Sequence, residues 1–305
     1  TDAIIIATPR GLLPELNDKV FRQALLGDEL RRVGLASVED LRLRQVGDRR
    51  SLLPIFDLLS KRTNSDFFPV LSLEAPRERF IGSQPLGLIG VATADLPLRE
   101  ILGHIAPAKV GRFVPNPGYI PSLLAEQGPI VAAGLAAVAP DTAKNNVEQV
   151  IADRRAVVAA CADESGDSQK IDVLQDLVGR TVPYLDAEQL KAVWIDPQWI
   201  TCATPTEAVS AMLGVISSLA ARDFARVGPR AVALLQDHRR ALSDPARDWL
   251  VRLCMLAAIA EGHYAEVATL DDTLGVDLTS FGWNRMQRSY LRAYAEAQPA
   301  STRLR

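Results

Sequence analysis

The sequence predicts a mainly α chain that opens on a small α/β remnant and continues as a helical array. Three observations carry this expectation. Ile4, Ile5 and Ile6 form a continuous β-branched run closed by Pro9 and Gly11, the pattern of a strand buried on both faces. Apolar residues recur at helical spacing through most of the remaining chain. A phrase near the end of the chain returns forty positions later.

The chain's 305 residues suffice for two domains, or for one domain and a helical array. With 48% hydrophobic and 23% charged residues it has an ordinary globular composition. Its net charge of −3 argues against a nucleic-acid partner, which needs an excess of Lys and Arg on one face. The basic pairs, such as Arg31–Arg32 and Arg239–Arg240, are scattered among acids and read as solvated helix faces. Cys161, Cys202 and Cys254 lie far apart and away from His104, His238 and His263. Neither a disulfide framework nor a metal site is expected, a reducing compartment fits, and each thiol reads as a small apolar side chain. The longest apolar run, residues 129–140, is too short to cross a bilayer.

The strand at residues 4–6 needs neighbours in a sheet. The next hundred residues supply no alternating pattern of strands and helices, so it is expected to be the edge or last strand of a sheet whose other strands lie upstream. A helix is expected over residues 16–33, with Gly34 as its C-cap. Ser37 reads as the N-cap of a short helix from 38 to about 46, with Asp40 in its first turn. A third short helix is expected over 50–59. Pro69 and Pro76 make residues 63–80 an extended segment, with a short strand at Val70, Leu71, Ser72 and Leu73.

Two phrases carry a family resemblance. The first is Arg32-Val33-Gly34-Leu35-Ala36-Ser37-Val38-Glu39-Asp40-Leu41. The second runs Asn64-Ser65-Asp66-Phe67-Phe68-Pro69-Val70-Leu71-Ser72-Leu73-Glu74-Ala75-Pro76-Arg77. Their order and spacing resemble the C-terminal end of fused, membrane-associated spermidine synthase-like proteins. The resemblance implies that residues 1–80 end an aminopropyltransferase-like α/β domain, with residues 4–6 as the last strand of its Rossmann-like sheet. It also implies a cytoplasmic segment of a parent protein anchored by membrane helices ahead of it. An aminopropyltransferase needs a glycine-rich loop for its decarboxylated S-adenosylmethionine. No G-x-G-x-x-G occurs here, so no cofactor is expected in this segment and no catalytic residue is assigned. By resemblance, Asp66 and Glu74 are candidate substrate-binding carboxylates for a cationic polyamine. The alternative is that Asp66 caps a turn with Asn64 while Glu74 pairs with Arg77 or Arg79.

Residues 81–120, rich in Gly and Pro, read as a linker or arm on the surface. The remainder, 121–305, reads as a helical repeat-like domain. Asp141 is expected to cap a helix to about Cys161, Gly166, Asp167 and Ser168 to break it, and Ile171 to Val178 to resume it. Asp186 caps a further helix through Leu190 and Trp194, with Trp194 or Trp199 as an exposed anchor. Five helices are then expected over 206–221, 224–240, 245–261, 264–274 and 279–296.

The repeated phrase lies in this last part. Leu219 to Val227 aligns with Ile259 to Val267, and each copy sets an aromatic, Phe224 or Tyr264, just after a turn and a small apolar residue three places on. That resembles the helix-turn-helix joint of tetratricopeptide repeats, with Arg222 where Gly is usual. Such an array implies a protein partner or self-association. Trp249, Tyr264, Phe281, Trp283, Tyr290 and Tyr294 are candidates for a partner surface, although core packing also accounts for most of them. The function expected is therefore non-catalytic scaffolding. The alternatives are part of an active polyamine aminopropyltransferase whose nucleotide-binding half lies upstream, or a stand-alone tetratricopeptide-like adaptor.

Overall fold

A computed structural model of the chain describes residues 17–32, 35, 37, 38, 41, 45–59, 94–105, 166–183, 190–195, 205–275 and 283–298. The expected strand at residues 4–6, the segment 63–80 and the helix 141–161 lie outside them. The described residues are mainly helical and contain no strand. No helix among them is long and apolar enough to cross a membrane.

The first helix is shorter than its periodicity suggests. A 3-10 turn at Val20–Arg22 precedes α1, Ala24–Arg32, and Gln23 between them is extended. Ahead of the 3-10 turn Asn17 Oδ1 accepts from the Lys19 amide at 3.0 Å, a local turn that competes with helix, and Asp18 Oδ1 accepts from the Val38 amide at 3.1 Å. Gly27 lies so close to the turn that a Cβ there would collide with the Phe21 carbonyl oxygen.

Helix α2, Arg49–Leu59, begins with a reciprocal cap. Asp48 Oδ1 accepts from the Ser51 amide at 2.8 Å, and Ser51 Oγ accepts from the Asp48 amide at 2.9 Å. Two otherwise orphaned amides are thereby satisfied.

Residues 94–105 correct the surface arm expected over 81–120. They hold a short helix, α3, Leu98–Gly103, and bury Ala94, Leu96, Leu98 and Leu102. Four apolar side chains within nine residues outweigh the Gly and Pro punctuation around them. Helix α4, Asp167–Thr181, starts one residue after Gly166, so of the expected break only Gly166 stands outside the helix. Its Ile171, Leu174, Leu177 and Val178 are fully buried on one face. A π-helical turn at Lys191–Ile195 comes next, and Trp194 is buried, with Nε1 donating to Thr181 Oγ1 at 3.0 Å. Trp194 is therefore core and no exposed anchor; Trp199 lies outside the described residues.

The last five helices fall close to expectation: α5, Glu207–Ala220; α6, Phe224–Asp237; α7, Asp244–Ala260; α8, Glu266–Leu274; and α9, Trp283–Glu296. Thr206, Asp223 and Ser243 cap α5, α6 and α7, each accepting the amide three residues on. Helix α6 packs between α5 and α7, while α7 also meets α3, α4, α8 and α9. Helix α7 is buried on all sides, with every residue from Asp248 to Ile259 hidden. An all-round buried helix is the centre of its fold.

The forty-residue repeat has a backbone counterpart. At the end of α5, Arg222 N–H donates to Leu219 O and Asp223 N–H to Ser218 O. At the end of α7, Gly262 N–H donates to Ile259 O and His263 N–H to Ala258 O. Both are the six-to-one and five-to-two bonds of a Schellman stop. Arg222 (φ 58°) and Gly262 (φ 80°) take the left-handed conformation this stop requires.

One contiguous core joins residues from all three expected segments: Ile55 of α2, Leu96 and Leu102 around α3, and the helices from α4 to α9. Polar bonds reinforce that union. Tyr290 on α9 donates to Ser51 O at 2.6 Å, and Tyr294 to Leu102 O at 3.3 Å. Arg50 donates to Gln298 Oε1 at 2.6 and 3.0 Å.

Candidate functional site: a charged cleft between α2, α8 and α9

Asp66 and Glu74, the carboxylates singled out in the sequence, lie outside the described residues. Of the aromatics considered for a partner surface, Trp249, Tyr290 and Tyr294 are fully buried and Tyr264 is half-buried. Tyr290 and Tyr294 meet edge to face with centroids 6.5 Å apart. Their role is core packing. Phe281 and the Trp283 side chain lie outside the described residues.

A cleft of about 550 Å³ opens between the last turn of α2 and the helices α8 and α9. Leu58, Asp271, Asp272, Arg285, Arg288 and Arg292 are prominent in its lining. Arg285, Arg288 and Arg292 recur at i, i+3 and i+7 of α9, so one helical face carries all three. Tyr290, Leu291 and Tyr294 are buried in the core instead. That division of α9 into a charged stripe and a buried stripe sets the cleft.

Ion pairs run from the core to the cleft. At the inner end Arg252 on α7 is wholly buried, donating to Asp248 Oδ2 at 2.9 Å and to Asp95 at 2.5 and 2.9 Å. Its Nη1 also donates to Gln287 Oε1 at 2.5 Å. Burial by itself lowers the Arg252 pKa, but Asp95 and Asp248 outweigh it and hold the guanidinium above its ordinary value. Arg288 Nη1 stands 3.5 Å from Asp248 Oδ1, and Arg288 also grips Asp271 through Nε at 2.6 Å and Nη2 at 2.5 Å. At the outer end Arg292 donates to Asp272 at 2.8 Å and to Glu296 at 3.2 Å. Those hydrogen bonds, Asp272 first, raise its pKa.

The lining balances Arg285, Arg288 and Arg292 against Asp271, Asp272 and Glu296, and Arg288 and Arg292 are already held in ion pairs with these carboxylates. The lining contains no His, Cys or Lys. Among the described residues no group of three or more His, Cys, Asp or Glu side chains could hold a metal ion. Cys254 is buried, with its thiol pushed up to about 12 by burial. It is an inert apolar filler at neutral pH, as its sequence context suggested.

The cleft was not singled out from the sequence. Its signal was present in the spacing of Arg285, Arg288 and Arg292, but the acidic partners Asp271 and Asp272 belong to another helix. Comparison with protein-family models, with curated proteins and with solved structures finds no match to this chain.

Proposed function

We propose that this chain is a non-catalytic helical scaffold that holds a protein partner or a second copy of itself. The observation that carries the reading is the repeated joint: two Schellman stops, forty residues apart, each turn one helix back against the next. Stacked helical hairpins of this type expose a continuous surface at little conformational cost, the physical basis of binding by tetratricopeptide-like arrays. The charged cleft at the end of the stack is compatible with the same reading, since its arginines and carboxylates are recognition groups.

The family phrases around residues 32–41 and 64–77 extend the proposal. In this reading the helices form the C-terminal scaffold of a spermidine synthase-like protein. The test is an aminopropyl-transfer assay on the full chain, run beside chemical crosslinking with mass-spectrometric mapping. The expected result is no turnover of putrescine with decarboxylated S-adenosylmethionine, and crosslinks to a partner or second copy concentrated on α5 to α9. Turnover, or crosslinks confined to residues outside these helices, would contradict it.

A further inference from the structure

We infer that α8 is a latch: it opens from the array as a unit, ahead of the cooperative unfolding of the rest, while Arg288 passes from its carboxylate on α8 to a buried one on α7. The device goes beyond the scaffold reading and does not depend on it.

Few apolar side chains hold α8 to the array. Val267 is its one fully buried residue, and Leu270 and Leu274 pack part-buried against the core. Its first turn has no side-chain cap, unlike those of α5, α6 and α7. Ion pairs add to the hold. Nε and Nη2 of Arg288 on α9 both reach Asp271 Oδ1, at 2.6 and 2.5 Å, and Arg292 donates to Asp272 at 2.8 Å. The Arg288 guanidinium lies against the backbone just past α8, where a Cβ on Gly275 would collide with Nη2 and with the Asp271 carbonyl oxygen. Asp271 and Gly275 together fix its position.

Each of these arginines also has a carboxylate within reach that does not belong to α8. Asp248 on α7 is wholly buried; its Oδ2 accepts from Arg252, but its Oδ1 accepts no hydrogen bond among the described residues. Arg288 Nη1 stands 3.5 Å from that oxygen, beyond the usual bonding distance of about 2.9 Å. A buried acceptor without a donor is costly, so the closed array carries an unmet demand beside the latch. While α8 is in place, Asp271 and Gly275 keep the guanidinium from closing the gap. Once α8 leaves, Arg288 turns inward and completes the bond to Asp248. Arg292 keeps Glu296, four residues along its own helix, at 3.2 Å. The ion pairs lost on opening are thus offset in part by a bond that the closed state lacks. Two discrete pairings of one side chain make a bistable element.

Hydrogen exchange of the full chain, followed by mass spectrometry in native buffer and in low urea, reads the latch. The α8 amides should exchange at least about tenfold faster than those of α7 and α9, at a rate that low urea hardly changes, the mark of a local opening. Asp271→Asn weakens the closed pairing and should speed α8 exchange about tenfold while α7 is unchanged. Gly275→Ala displaces Arg288 and should act in the same direction. Asp248→Asn discriminates. It removes the charge that Arg288 turns to, so α8 should exchange about threefold more slowly than in the parent chain, even though the weakened Arg252 network lowers the urea midpoint of global unfolding. A purely structural Asp248 gives the opposite sign. The latch is overturned if α8 exchange follows α7 through the urea series, if Asp271→Asn or Gly275→Ala leaves it unchanged, or if Asp248→Asn leaves it unchanged or raises it. Should Asp248→Asn not fold, the other two variants and the urea series decide.

Discussion

Two residues at equivalent positions solve the same backbone problem differently. Gly262 reaches φ 80° without steric penalty, whereas Arg222 at φ 58° brings its Cβ against the backbone. Arg222 is held there by its side chain, which donates to Glu100 at 2.6, 2.9 and 3.0 Å and to Val182 O at 3.0 Å. Arg222→Ala keeps the strain and loses the anchors, and should destabilise the chain by about 2–3 kcal/mol. Arg222→Gly also relieves the backbone and should recover about 1 kcal/mol of that loss. Gly262→Ala should cost about 1–2 kcal/mol. Urea midpoints check all three, and equal stability of the alanine and glycine variants at 222 would contradict the account.

Arg252 poses a different question, since a buried ion network is costly to break. Arg252→Met leaves Asp248 charged and buried, and should destabilise by about 3–5 kcal/mol. Adding Asp248→Leu removes the buried charge, whose one remaining partner, Arg288 Nη1, stands 3.5 Å away, and should restore much of the stability. A double variant no better than the single one would show that the network contributes through Asp95 or Gln287 instead.

Cys254 gives a pH dependence of defined sign. Its thiol ionises near 9.0 when unperturbed and only at about 12 in the fold. Between those values the folded chain keeps a proton that the unfolded chain has lost, so stability falls as pH rises through this window. Below 9 the contribution is complete. The slope of unfolding free energy against pH from 9 upward should be shallower in Cys254→Ala than in the parent chain, and parallel slopes would count against it.

At the scale of elements, periodicity located α5 to α9 closely because each is amphipathic or wholly apolar and each ends at a recognisable stop. The caps Thr206, Asp223 and Ser243 were not singled out, although each is a residue type that favours that position. The segment 94–105 was less legible. Its Leu96, Leu98 and Leu102 reach the core only because α2, α7 and α9 surround them, a condition set by distant parts of the chain. The Asp18–Val38 bond was hidden for a related reason, since its two ends lie twenty positions apart.

The candidate cleft shows the same limit. Arg285, Arg288 and Arg292 are readable as a stripe on one helix. Their pairing with Asp271 and Asp272, and the arrival of Leu58 from the opposite end of the sequence, depend on tertiary packing. Helix α8 is thinly anchored: Val267 is its one fully buried side chain, Leu270 and Leu274 pack part-buried against the core, and Asp271 and Asp272 pair with α9.

On the scale of the whole molecule, helix α7 organises the described residues. It joins helices from early and late sequence into one core, and bonds from Tyr290 to Ser51 and from Tyr294 to Leu102 reach across some two hundred positions. The proposed scaffold requires such a union, because helices that drifted apart would hold no fixed surface. The chain should therefore unfold as one cooperative unit through these helices.

Native-state hydrogen exchange on the full chain, monitored by mass spectrometry over a series of low urea concentrations, tests this most directly. The amides of α2, α3, α7 and α9 should share the highest protection and lose it together at one urea concentration. If α2 and α3 exchange freely while α7 and α9 stay protected, the early helices are not part of the core and the account of a single helical scaffold is wrong.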